Sequence, residues 1–238
     1  MRLRRRGTTG PGAAVVRQAA AVCLGYPGKR LRTELPLLRR SAAHAPGRPG
    51  RRLRAFLEYA ASAPRRELAE HYVSVFDLRN RSSLHLTWWT DGDTRRRGMS
   101  LVRFKEAYRA HGLEYAEDGE LPDYLPAVLE FTARTRDASL LTEHRAALEL
   151  LRLSLTEQRT PYAALLDAVC ATLPGRRPKD RAAARALAQR PSEPEAVGLD
   201  GYGGGERRRL PLLAPASGPG AGQHGDDPQP TTPPGGRS

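Results

Sequence analysis

The chain has 238 residues, 39% hydrophobic and 27% charged, which allows one soluble domain with tails or two small domains. Its 23 Gly and 20 Pro exceed what a compact domain uses, so part of the chain is expected not to fold. The net charge of +13 suggests a nucleic-acid binder until it is located: residues 1–55 hold 14 Lys/Arg against the single acid Glu34.

Residues 56–160 carry 15 bases and 17 acids, and this slight acidity argues against a nucleic-acid groove in the core. In chain order, Arg2, Arg4, Arg5 and Arg6 form a basic leader over residues 1–11. The apolar run Ala13–Leu24 is interrupted by Arg17 and Gln18 and is too short for a membrane span of roughly 18 residues. It reads as an amphipathic helix with Val15, Val16, Ala19, Val22 and Cys23 on one stripe, stopped by Gly25–Gly28.

Leu31, Leu35 and Leu38 mark a second helix, with Pro36 expected to kink or end it. Residues 45–50, Ala-Pro-Gly-Arg-Pro-Gly, read as a linker. Leu53, Phe56, Leu57 and Ala60 form a third stripe, and Pro64 opens a helix with the face Leu68, Tyr72, Val75 and Phe76. Leu84–Trp89 alternates like a strand, but one strand has no sheet to join, so it reads as helix or extended connector.

Leu101, Phe104 and Tyr108 mark a further helix, and Leu125, Val128, Leu129 and Thr132 another. Leu140, Leu141, His144, Leu148, Leu151 and Leu155 form the strongest stripe. The last helix is signalled best: Thr160 as cap, Pro161 at the first position, then Tyr162 to Leu173 before Pro174-Gly175. Beyond Pro191 the 48 residues include 9 Pro and 11 Gly, too few apolar groups to offset an ordering cost of ~1–2 kcal/mol per residue. The predicted fold is all-α: a single-domain helical bundle over residues 12–190, followed by a disordered tail over 191–238.

Cys23 and Cys170 lie far apart on apolar stripes and suggest buried thiols in a reducing, hence cytoplasmic, compartment. No pair of histidines has the spacing of a helical zinc site, and no nucleophile elbow or phosphate loop occurs. No catalytic residue, metal or cofactor is therefore expected. Two clusters stand out instead. Tyr72, Phe76, Asp77, His85, Trp88 and Asp93 bring aromatic and polar groups into one stretch, as suits a groove for an apolar peptide. Glu114, Glu117, Asp118, Glu120 and Asp123 follow as five acids without a base. Asp123 can cap the helix that begins near Tyr124, and the remaining acids suit a basic partner.

The same segments carry a family resemblance. Phe76-Asp77, Ser83–Thr87, Gly92–Arg95 with Arg97-Gly98-Met99, and Glu120–Pro126 with Leu129-Glu130-Phe131 resemble, in order and spacing, the respiratory nitrate reductase delta subunit. That family comprises molybdenum cofactor assembly chaperones of the NarJ type, within the redox-enzyme maturation chaperone superfamily. The resemblance covers about Val15 to Leu173. It implies an all-helical cytoplasmic chaperone, itself no enzyme, that binds the apo catalytic (alpha) subunit of nitrate reductase, including its N-terminal segment. The client could be bound alone or together with the beta subunit. It also implies a role in cofactor insertion and places Phe76, Asp77, His85 and Glu120–Pro126 on a signature surface.

The leading expectation is thus a client-binding surface formed by Tyr72, Phe76, Asp77, His85, Trp88, Glu117, Asp118, Glu120, Asp123 and Tyr124, with no nucleic acid and no stable membrane insertion. Two readings from other classes stand beside it. One is a helical regulator binding nucleic acid through residues 1–55, whose affinity would fall steeply with salt. The other is an enzyme using Asp77, His85 and Asp93.

Overall fold

The computed structural model describes residues 10–78, 82–92, 94–115 and 119–188, together with the backbone of Arg208–Arg209. The fold is all-α. Eleven α-helices are present among the described residues: α1 (Pro11–Cys23), α2 (Lys29–Ala42), α3 (Gly47–Ser62), α4 (Arg65–Tyr72), α5 (Leu86–Thr90), α6 (Arg95–Ala110), α7 (Leu125–Thr135), α8 (Ser139–Glu143), α9 (Arg145–Glu157), α10 (Tyr162–Cys170) and α11 (Arg181–Ala188). A π-helical turn, Val73–Asp77, continues α4. None of these helices is long and apolar enough to cross a membrane.

The apolar stripe of α1 makes it the central element: Val16, Ala19, Ala20, Val22 and Cys23 are buried, and the helix packs against α7 and α10, with α2 and α3 at its flanks. Arg17, which breaks that stripe in the sequence, is buried as well. Its Nε and Nη2 donate to Thr172 Oγ1 at 3.4 and 3.3 Å. Burial lowers its guanidinium pKa to about 10, against the opposing pull of Asp137.

The third stripe is buried as its period requires, with Leu53, Phe56, Leu57 and Ala60 inward. The segment 45–50 is not a linker. α3 begins at Gly47, and Gly50 lies so close to the Ala45 carbonyl that a Cβ there would stand 1.6 Å from its oxygen. Pro36 does not end its helix either. It is exposed within α2, where water can satisfy the carbonyl left without an N–H partner.

The Leu-rich stripe from Leu140 to Leu155 is divided at His144 into α8 and α9, and the His144 ring stacks on Phe104 at 4.6 Å. Thr160 Oγ1 accepts from the Tyr162 amide at 3.4 Å ahead of α10 and lies 2.8 Å from His71 Nε2. α11 has no counterpart in the apolar pattern. It packs on α9 through the buried Ala184, and Arg181 bonds Glu157 at 2.8 and 3.0 Å. The basic leader falls outside the described residues up to position 9. Of the tail from 191, only Arg208–Arg209 is described, as a two-residue strand parallel to Leu113–Glu114.

Candidate functional site

The end of α4 widens into the π-turn at Val73, an insertion that shifts side chains off the regular helical face and recurs at functional positions. Tyr72 stays buried, and its hydroxyl donates to the Leu24 carbonyl at 3.1 Å. Burial raises its pKa well above the ordinary phenol value. The Phe76 ring is half-buried, 4.9 Å from Tyr72 and 4.9 Å edge-on to the core ring of Tyr162. Tyr26 meets Tyr72 edge-on at 5.6 Å while remaining 60% exposed. Leu78, just past the turn, is 74% exposed, and Asp77 beside it is exposed too. Tyr26, Tyr72 and Phe76 thus form an aromatic ridge, and the exposed Asp77 and Leu78 follow Phe76 directly in the chain at its end.

A second set of side chains comes from the starts of α5 and α7. His85 and Tyr124 form an isolated antiparallel bridge. It is closed by the Leu86 amide donating to Asp123 O at 3.2 Å and the Leu125 amide donating to Leu84 O at 2.8 Å. Asp123 is fully buried, and its Oδ2 accepts from the Thr87 amide at 2.9 Å and the Thr87 hydroxyl at 2.6 Å. Its Oδ1 lies 3.1 Å from His85 Nδ1. Burial alone would raise the Asp123 pKa, but the hydrogen bonds from His85 and Thr87 outweigh it and hold the carboxyl below its ordinary value. Arg97 Nε donates to Thr87 Oγ1 at 3.2 Å, so the Arg97-Gly98-Met99 segment supports the same cap from α6.

His85 turns its other ring nitrogen toward solvent, 3.5 Å from Glu120 Oε2, and its ring lies 5.5 Å from Tyr124. The Tyr124 and Tyr72 side chains share a hydrogen bond, which joins the ridge to the His85 cluster. Burial pushes the Tyr124 phenol up to about 12; the charges of Glu120 and Asp77 push the same way, and the bond to Tyr72 opposes them.

The structure therefore brings together Tyr72, Phe76, Asp77, His85, Glu120 and Tyr124. Asp123 is a correction: it is not an acid on an exposed rim, and it does not cap its own helix. It caps α5 from across the fold. Trp88 is half-buried on α5, next to Trp89, whose indole N–H donates to Ser83 O at 2.9 Å. Glu117, Asp118 and Asp93 lie outside the described residues. Tyr26 belongs to the ridge and Leu78 follows at its end, although the sequence placed neither there; an apolar residue directly after Phe76-Asp77 was the available signal for Leu78.

Chemically, the surface offers aromatic and aliphatic contact beside carboxylates that can accept hydrogen bonds from cationic or amide groups. Around the Asp123–His85 pair, the Thr87 hydroxyl donates to Asp123 and the Ser83 hydroxyl accepts from the His85 amide at 3.2 Å. Among the described residues, no group of three or more His, Cys, Asp or Glu could hold a metal ion.

The sequence profile described as nitrate reductase delta subunit matches residues 45–168. The chain is 39% identical over 166 residues to the nitrate reductase-like protein NarX of Mycobacterium tuberculosis (strain ATCC 25618 / H37Rv), covering 66% of this chain and 24% of that protein. It is 33% identical over 159 residues to the probable nitrate reductase molybdenum cofactor assembly chaperone NarJ of Bacillus subtilis (strain 168), covering 65% of this chain and 86% of that one. The chain thus spans about a quarter of the NarX length but most of the NarJ length. Its fold is similar to a crystal structure of a putative redox enzyme maturation protein from Archaeoglobus fulgidus. That likeness has a TM-score of 0.53 and 19% identity over 66% of this chain and 91% of that one. On the profile match and the NarJ-length likeness, this chain belongs to the nitrate reductase delta subunit family.

Proposed function

We propose that this protein is a non-catalytic assembly chaperone for a respiratory nitrate reductase. It binds the apo catalytic (alpha) subunit, including its N-terminal segment, with or without the beta subunit, in the cytoplasm. Family membership and the names of the NarJ relatives, which refer to molybdenum cofactor assembly, support this reading.

The observation that carries it is the aromatic ridge of Tyr26 and Phe76, with Asp77 and Leu78 at its end and Glu120 on the joined His85 cluster, anchored to the core through Tyr72 and Tyr124. Burying an exposed Leu and aromatic edges favours association by roughly 25 cal/mol per Å² of apolar area. The carboxylates orient a segment that carries basic residues and speed its encounter. The mechanism is binding alone. The chaperone shields the segment while the client is open, and closure of the client around its cofactor removes the exposed segment and ends the complex.

Affinity purification of the tagged full chain from its own cells tests the proposal. The nitrate reductase catalytic subunit is the expected main partner, in its cofactor-free form. Enrichment of nucleic acid or of unrelated enzymes instead would contradict it.

A further inference from the structure

A second, strongly basic surface lies near the start of α3. Arg48, Arg51 and Arg52 fall at i, i+3 and i+4 near the start of this helix and so share one face. With Ala55 they line an open cavity of about 370 Å³. The first turn of α3 contains no acidic residue, and its N-cap, Pro46, supplies no side-chain bond. Acidic groups normally occupy that position, so three arginines there repel one another and the helix end alike.

One carboxylate answers them. Asp167 lies 3.1 Å from Arg48 Nη2, 2.7 Å from Arg52 Nε and 2.5 Å from Arg177 Nη1. Arg51 has no hydrogen-bond or ion-pair partner among the described residues. Arg177 keeps Nε and Nη2 buried without a hydrogen-bond acceptor, and its Nε lies 3.7 Å from Glu149 Oε1, too long for a hydrogen bond. Behind it, the buried Glu149 is already held by Arg152 at 2.6 Å and by Arg145 at 3.4 Å. Three guanidiniums, those of Arg48, Arg52 and Arg177, thus share Asp167 while Arg51 stands beside them unpaired; four positive charges against this one carboxylate leave a local excess of three and unused N–H donors.

We propose that this cavity is a binding site for a diphosphate group. Guanidinium forks match phosphate oxygens in pairs. A diphosphate carries about three negative charges near neutral pH, equal to the excess, and the cavity lies within the size range of small-ligand sites, roughly 300–1,000 Å³. A single carboxylate would leave most of the excess unanswered. The cavity wall holds no aromatic side chain on which a base could stack, so the diphosphate itself is the recognised element. The site is separate from the Tyr26–Leu78 ridge, and its failure would leave the proposed chaperone function standing.

Calorimetry on the full chain, with ionic strength held constant by sodium chloride, tests this using inorganic pyrophosphate. The expected result is saturable binding with one site per chain. Arg51→Ala, and independently Arg51→Gln, should weaken it about tenfold or more while leaving the melting temperature unchanged. Adenosine diphosphate separates the possible sources. Affinity equal to that of pyrophosphate assigns the site to the diphosphate alone, and markedly tighter binding assigns it to a nucleotide. Absence of saturation by both ligands, or unchanged affinity in both Arg51 variants, would overturn the proposal. So would saturation by a polyglutamate peptide where pyrophosphate fails, which would make this face a dock for an acidic protein.

Discussion

Asp123 and Thr87 are joined twice: one carboxylate oxygen accepts both the amide and the hydroxyl of Thr87, at 2.9 and 2.6 Å. The pair lies 36 positions apart in sequence and pins the start of α5 to the start of α7, the two elements that present His85 and Tyr124. Asp123→Ala would leave the Thr87 amide and hydroxyl and His85 without their acceptor. We expect a loss of about 3 kcal/mol in urea unfolding. Thr87→Val, which removes only the hydroxyl, should cost about 1–2 kcal/mol.

The same carboxylate makes the fold acid-sensitive. Its folded pKa lies below the ordinary 3.8, so the unfolded chain binds the proton first. The stabilisation is fully present above pH 3.8 and is lost as pH falls through the lower folded value. His71 and His144, both pushed below 6.5 chiefly by burial, act with the same sign and begin the loss near pH 6.5. Unfolding free energy measured from pH 7 to pH 3 should therefore fall in two stages. Asp167 and Glu157, held below their ordinary values by their arginine partners, share the lower stage, so Asp123→Asn should shrink that stage and leave the upper.

Two glycines should respond in opposite ways to alanine. At Gly50 a methyl group would collide with the Ala45 carbonyl, so Gly50→Ala should strongly destabilise the α2–α3 junction. At Gly98, exposed on α6, a Cβ meets nothing within 4 Å. There Gly98→Ala should stabilise by about 0.5–1 kcal/mol through helix propensity. Thermal melts of the two variants check both directions.

Cys23 and Cys170 are fully buried and free. Burial raises the Cys23 thiol far above its usual range and pushes Cys170 up to about 12. Neither is a thiolate at neutral pH, and Ellman's reagent should label the native protein only at the rate of unfolding. Fast labelling of one thiol would show local opening of α1 or α10.

The sequence made the helices legible wherever their apolar face is wide, as at Leu53, Phe56, Leu57 and Ala60. It hid α11, whose buried contact is only Ala184. It also hid the start of α3, because the Gly and Pro that normally signal a linker here serve a close approach at Gly50. In the candidate site, Tyr72, Phe76, His85 and Glu120 could be picked out from composition and family likeness. Asp123 was picked for the wrong reason: a count of acids shows charge, not the donors that reach it from Thr87 and His85 across the fold. Tyr26 was hidden in the same way, since its partner Tyr72 is distant in sequence and it sits in a segment rich in turn residues.

Binding of the client's N-terminal segment tests the chaperone assignment most directly. A peptide of the nitrate reductase catalytic subunit N-terminus, titrated by calorimetry at low and high salt, should bind the wild-type chain more tightly at low salt. The double variant Asp77→Lys/Glu120→Lys changes two exposed side chains, and its stability should stay within about 0.5 kcal/mol of wild type for each change. Its affinity should fall and its salt dependence should flatten. Leu78→Ser should weaken binding equally at both salts, since it removes apolar contact alone. Wild-type affinity in both variants, at both salts, would contradict the assignment of the client site to this ridge.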